Sequence, residues 1–265
     1  MPSRMSLKRG AFLCALGTAL LAGIVPGIGL RANAAGPPKP TVSPEALATV
    51  ERMGKTLLAE QFSFRAHTLR SYADLNGQPL HIVHNMNVII RRPDKLMVEV
   101  SGDDGQTKLF YDGKTTVLYG PEAKKYATIP SPNTIQAMME TVMGKLGIDF
   151  PLADFLTNAP DKAFMKGVTA GRELNIVTID GTPCTHLVFD QPGIQLELWV
   201  ENTERAVPRR LIVTYHTLPD RPRFYAELSD WKFDIHPSDA DFTFVPPEGV
   251  TQVPVKAAGA QKGAK

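Results

Sequence analysis

Six histidines, two cysteines and nine methionines are the residues of this chain whose types most readily do chemistry. His81 and His84 lie three apart in a run of strand character, which sends them to opposite faces and denies them a shared metal ion. His67, His186, His216 and His236 have no sequence neighbours that complete a ligand set, so no metal site is expected. Cys184 follows Pro183 in a hairpin-like stretch without a cysteine-protease context, and reads as a small buried apolar residue. No Gly-x-Ser-x-Gly elbow and no glycine-rich phosphate loop occurs, which argues against an enzyme and against any cofactor. Asp103, Asp104, Asp112 and Asp180 sit beside glycines, where aspartate forms turns rather than acting as a general acid. The methionines are the suggestive feature. Met138, Met139 and Met143 fall together, and methionine-lined surfaces adapt to guests of variable shape such as acyl chains. The same three residues also satisfy the core-facing stripe of an amphipathic helix, and the sequence leaves both uses open.

The elements that must position these residues begin after residue 34. Arg4, Lys8 and Arg9 precede an apolar stretch from Ala11 to Leu30, and Ala32-Asn33-Ala34 has the small-x-small pattern of a cleavage site. Residues 1–34 therefore read as an export signal, and the mature chain as a periplasmic protein beginning near Ala35. The signal holds four basic residues and no acidic one, so the 29 basic and 27 acidic residues of the whole chain become 25 and 27. A nearly neutral surface excludes nucleic acid as the expected partner. With Cys184 alone left in the mature part, stability must come from a core rather than a disulfide.

Residues 35–42 form a Pro-rich leader, 43–250 the folded domain, and 251–265 a tail rich in Ala, Gly and Lys that reads as disordered. Ser43 caps a helix with Pro44 at its first position, and Leu47, Val50, Met53, Leu57 and Leu58 give it one apolar stripe. From Gln61 the period changes to two. Asn76-Gly77, Asp104-Gly105 and Asp112-Gly113 mark tight turns in an antiparallel meander that ends with a short strand at 124–129. Ser131-Pro132 reads as the start of a second helix carrying Ile135, Met138, Met139, Val142, Met143 and Leu146, followed by a short apolar piece with Phe150, Leu152, Phe155 and Leu156. Strands then resume through 233, and Ile194, Leu196, Leu198 and Val200 alternate with Gln195, Glu197, Trp199 and Glu201 as one buried and one outer face. Trp199 and Trp231 each suit either a cavity wall or the packing beneath the first helix. About eleven antiparallel strands exceed what a flat sheet carries, so the expected fold is mainly β with α: an incomplete, half-open antiparallel barrel with an N-terminal helix and an inserted helical lid.

Three short patterns carry a resemblance. Arg92-Pro93-Asp94-Lys95-Leu96, Tyr111-Asp112-Gly113-Lys114-Thr115 and Phe242-Thr243-Phe244-Val245-Pro246-Pro247-Glu248-Gly249-Val250 resemble, in this order, the periplasmic lipoprotein carrier of Gram-negative bacteria and its relatives. The overall layout is similar to a family of predicted periplasmic proteins that shares the carrier-like fold. The resemblance spans roughly residues 45–250. It implies an apolar interior that takes up acyl chains, with Met138, Met139, Val142, Met143, Leu146 and Phe155 on the lid side and Met86 and Val88 on the wall. By position Arg92 resembles the carrier's arginine that holds the lid shut, a task suited to a guanidinium that reaches several carbonyls; beside Arg91 it also reads as a solvated strand-end residue. The expected partner is a lipid, an acyl chain or a lipoprotein bearing one, with transient contact to a membrane or an envelope protein. The rival readings are an envelope interaction module with a filled core and, third, an enzyme acting on lipids or cell-wall material. Residues 161–181 do not follow the carrier in detail.

Overall fold

The computed structural model describes residues 41–73, 76–147 and 150–255; the expected export signal, most of the expected leader and the end of the expected tail lie outside them. Helix α1 (Pro44–Leu57) starts where Ser43 accepts a hydrogen bond from the Ala46 amide, with Pro44 at the first helical position. Its buried stripe runs through Ala46, Val50, Met53 and Leu57, while Leu47 and Leu58 stay exposed. Small Ala46 thus takes the place on the sheet that the spacing gave to Leu47.

The strands follow as β1 (Gln61–Ala73), β2 (Pro79–Arg91), β3 (Lys95–Gly102), β4 (Gly105–Tyr111), β5 (Thr115–Gly120) and β6 (Lys125–Pro130). Helices α2 (Ile135–Leu146), α3 (Ala153–Leu156) and α4 (Pro160–Met165) then interrupt. β7 (Ala170–Ile179), β8 (Thr182–Gln191), β9 (Ile194–Glu201), β10 (Pro208–Tyr215), β11 (Arg223–Lys232) and β12 (Thr251–Gln252) complete the sheet. The spatial order is β12-β6-β5-β4-β3-β2-β1-β11-β10-β9-β8-β7, one open sheet of 12 strands whose ends do not meet. All pairs are antiparallel except β12 with β6. One continuous core joins inward residues from strands as distant as β6 and β8 to all four helices, so the sheet curls around it.

A bulge re-aims the aromatic residues of β11. Opposite Ser63 and Arg65 the strand carries an extra residue, and Asp230 takes a positive φ of 53°. Trp231 thereby turns to the same side as Leu228 and stacks on Phe64 at 4.5 Å between centroids. Trp199 faces outward instead, stacked on His186 at 3.9 Å and with the Arg210 guanidinium 5.4 Å from its ring centre. It is only 7% exposed, although it lies on the outer face as the alternation of β9 requires.

Both free edges are blunted. Residues 41–43 bond to Gly171 on β7, through Ser43 N to Gly171 O at 2.9 Å and Gly171 N to Thr41 O at 3.2 Å. At the other edge Thr251–Gln252, which the sequence assigned to the tail, pairs with β6, and Val253 N donates to Tyr126 O at 2.8 Å. Phe244 fixes that segment by packing among Phe110, Tyr119 and Tyr126 at 5.0–5.5 Å between centroids.

The helices approach closely at Gly54, where an added Cβ would stand 2.7 Å from Asp161 Cβ on α4. Gly54→Ala is therefore expected to pry α1 from α4 and cost about 1–3 kcal/mol. Urea unfolding checks this: the midpoint should fall while the slope stays constant.

Candidate functional site

The turn joining β2 to β3 gathers the ends of three helices. Arg92 donates from Nη2 to Leu57 O at the end of α1 (2.8 Å), and from Nη1 to Leu156 O at the end of α3 (2.9 Å) and to Asn158 Oδ1 (3.2 Å). Terminal helix carbonyls have no partner within their helix, so one planar cation serves both ends. Burial pulls this guanidinium down from its usual value to about 10, which still leaves it charged at any neutral pH. Next along the turn, Pro93 O accepts the Ile135 amide of α2 at 3.1 Å. Asp94 sits against Gly113, where a Cβ would stand 2.3 Å from its carboxylate and φ is +93°. Lys95 Nζ donates to Asp112 O at 2.5 Å, and Asp112 Oδ1 accepts the Lys114 and Thr115 amides. Arg91 reaches Pro237 O at 2.9 Å and pairs with Asp239, its guanidinium 5.2 Å from the Phe242 ring centre. The first two sequence patterns thus meet at one end of the sheet, joined by Lys95 and Asp112, and Phe242 of the third reaches the same end through Arg91.

Helix α2 begins later than Ser131-Pro132 indicates. Thr134 is its cap, accepting from the Ala137 amide at 3.2 Å. Ser131 instead donates to Ile129 O, and Pro132 O accepts the hydroxyl of the fully buried Tyr111, so the dipeptide ends β6 before the helix begins. Burial first, then the Asp94 and Asp112 charges, raise the Tyr111 phenol to about 12. Burial first, then its hydrogen bond to Glu227, raises Tyr225 to about 12 as well. The fold favours both neutral phenols, so their stabilisation is full below the ordinary phenol value of about 10 and is lost as pH rises toward 12. An ultraviolet absorbance titration should show two tyrosines ionising near pH 12 in the folded protein and in the ordinary range in urea.

Beneath α2 lies an apolar cavity of about 170 Å³, bounded by Met86, Val98, Val100, Leu109, Leu118 and Thr107 on the sheet and by Met139, Val142, Met143 and Phe150 on the helical side. A volume of this order is enough for engineered apolar cavities to take up a benzene-sized guest. The other half of the interior, below α1, α3 and α4, is filled: Met53, Phe62, Phe155, Phe164, Phe189 and Leu198 are at most 2% exposed. Of the expected lining residues, Met86, Met139, Val142 and Met143 border the cavity. Met138 is fully buried against the core, Val88 is buried on β2, Leu146 packs on the core's margin, and Phe155 stacks on Phe164 at 6.2 Å. The wall residues of β3, β4 and β5 were not singled out from the sequence, although inward alternation on the strands facing α2 was the signal that marks them.

The remaining candidates for chemistry are separate. Cys184 is wholly buried beside Ile179 and Trp199, and burial pushes its thiol up, away from a reactive thiolate. His84 bonds Asp104 and His186 bonds Glu197, on different strands. Among the described residues no three His, Cys, Asp or Glu side chains converge as a metal site, and no helix is long and apolar enough to cross a membrane.

Residues 46–256 match a family described as predicted periplasmic protein (DUF2092). No protein with a curated description matches the chain in sequence. Among solved structures, the lipoprotein LppX of Mycobacterium tuberculosis is similar at 13% identity and a TM-score of 0.47, covering 73% of this chain and 98% of its own. LprF of Mycobacterium bovis is similar at 14% identity and 0.46, covering 75% and 99%. A LolA-superfamily protein of Nitrosomonas europaea is similar at 12% identity and 0.39, covering 75% and 97%.

Proposed function

Because the chain belongs to the family of predicted periplasmic proteins DUF2092, we propose that it is a periplasmic binding or carrier protein that shelters the acyl chain of a lipid or an acylated protein in the cavity beneath α2. Residues 1–34 are its export signal, removed so that the mature protein starts at Ala35. The observation that carries the reading is the uneven interior: packed to exclusion under α1, hollow and apolar under the methionines of α2. Transfer of a chain into that space gains roughly 0.8 kcal/mol per buried methylene. Thr134 and Pro93 pin the start of α2, and Arg92 ties the ends of α1 and α3. In this reading α2 is a lid hinged at that turn and opening at its Gly147 end, and Arg92 holds the helical layer closed when the cavity is empty.

The test is binding by delipidated protein purified from the periplasm, its mass confirming the start at Ala35. Displacement of a fluorescent fatty acid by unlabelled laurate should be saturable at one site per chain. Absence of saturable uptake for laurate, longer fatty acids and a lipidated peptide alike removes the reading, and leaves a surface interaction module as the better description.

A further inference from the structure

The hairpin of β1 and β2 runs on past both of its neighbours. β1 pairs with β11 only as far as Arg70, and β2 pairs with β3 only as far as His84, yet the two stay paired with each other to Ala73 and Pro79. Two braces hold the base of this ribbon. Ser71 Oγ accepts the Arg223 amide at 2.9 Å and donates to Arg223 O at 3.3 Å, and Val83 exchanges bonds with Asp103, its amide donating to Oδ2 at 2.9 Å and its carbonyl accepting from the Asp103 amide at 3.1 Å. Beyond them residues 72–73 and 79–82 have no strand on either flank, a projection of roughly 10 Å at about 3.4 Å per residue. A two-stranded ribbon is only marginally stable in water by itself, so a surface that covers its apolar face stabilises it.

That face is apolar and continuous with the trough. Tyr72 and Leu80 are direct partners across the ribbon, 44% and 54% exposed. Alternation along β1 sets Tyr72 on the concave side with Phe64, Ala66 and Thr68. A groove of about 540 Å³ lined by Tyr72, His84 and Phe224 leads inward from there, and shares Met86, Val100 and Phe150 with the cavity beneath α2. The β10–β11 loop flanks the ribbon from the outer side, its Asp220 and Arg221 near Pro79 and His81, and the same loop carries Leu218 at 49% exposure. Three of the eight large apolar side chains that stand exposed among the described residues are therefore at the mouth of the trough. Charge there is mixed, with Asp103 and Asp104 on one flank and Asp220, Arg221 and Arg223 on the other.

We propose that the ribbon docks the mouth of the trough on a lipid bilayer surface, with Leu80, Tyr72 and Leu218 in the headgroup layer, so that an acyl chain passes between bilayer and cavity without crossing free water. Three apolar side chains fall far short of the roughly 20–30 residues that each side of a stable protein complex contributes, whereas shallow insertion needs few. Tyrosine suits that depth, with its ring apolar and its hydroxyl wet. The mixed charge gives no preference for anionic lipid, and so small a contact is transient, as a carrier that must leave again requires. The inference rests on the binding reading above and adds the surface on which the ligand is met.

Leu80→Trp puts a reporter on the ribbon. In excess phosphatidylcholine vesicles its emission should shift to the blue and be quenched by phosphatidylcholine brominated high on the acyl chain, equally with phosphatidylglycerol added and at low and high salt. Transfer of a fluorescent fatty acid from the unaltered protein to vesicles should quicken in proportion to vesicle concentration, as collision demands. Leu80→Glu combined with Leu218→Glu should slow that transfer about tenfold and change laurate affinity in solution less than twofold, since neither residue lines the cavity or the groove. Should the double variant fail to fold, the reporter and the concentration dependence still answer. A reporter that stays in water, with transfer indifferent to vesicle concentration, overturns the docking surface while laurate binding stands. A reporter that responds to protein concentration and not to vesicles assigns the ribbon to a second copy of the chain, and overturns the lipid assignment as well. Failure of the unaltered protein to bind laurate removes the carrier reading, and the reporter alone then decides the docking surface.

Discussion

Leu109→Trp will fold, melt no lower than the parent protein, and lose roughly fiftyfold in affinity for laurate. Leu109 projects from β4 into the hollow under α2 and is only partly buried there. The larger ring enters existing space, and so avoids the 1–3 kcal/mol that overpacking costs in a filled core. Space taken by indole is denied to the tail. Excluding about three methylenes removes roughly 2.4 kcal/mol of transfer free energy, and each 1.4 kcal/mol is tenfold in affinity. Thermal melting and fluorescence displacement on one preparation separate the two effects. An unchanged laurate affinity with a normal melt would mean that the tail lies elsewhere.

Arg92→Ala is expected to be the most damaging single change at the β2–β3 turn. It removes donors from Leu57 O, Leu156 O and Asn158 Oδ1 at once, and hydrogen bonds from charged groups contribute about 1.5–3 kcal/mol each. Charge burial offsets part of this, since the Nε has no partner among the described residues and burial lowers the pKa. A net loss of about 2–4 kcal/mol follows, near 4–16 °C in melting temperature for a domain of this size. Arg92→Lys should recover less than half, because a single ammonium cannot hold two helix ends in a fixed fork. Hydrogen exchange locates the damage: protection should fall first at the ends of α1 and α3. Uniform loss across the sheet would instead show that Arg92 supports the whole domain and not the helical layer.

The fold was legible where local chemistry and global packing agreed. Ser43-Pro44 starts a helix in any surroundings, and the Asp-Gly pairs at 104–105 and 112–113 accept backbone angles that few other pairs tolerate. Strict alternation in β9 fixed its buried face, with Leu198 and Val200 wholly buried. Legibility failed where a distant partner decides. Ser131-Pro132 imitates a helix start, but Tyr111 and Ile129 claim its groups. The two residues of β12 carry no strand signal of their own and exist because β6 offers an edge. Trp199 is covered by His186 and Arg210 from neighbouring strands, which no spacing within β9 announces. The site divides in the same way. Met139, Val142 and Met143 follow helical periodicity, whereas the opposite wall depends on which strands happen to lie beneath α2.

The parallel pairing of Thr251–Gln252 with β6, held by Phe244 in its aromatic cup, gives the molecule a built-in timetable. The segment that finishes the sheet lies far along the chain from the strand it completes. Until it pairs, β6 keeps bare amides and carbonyls toward any neighbour, so the outer margin of the meander closes only once a contact between residues distant in sequence has formed.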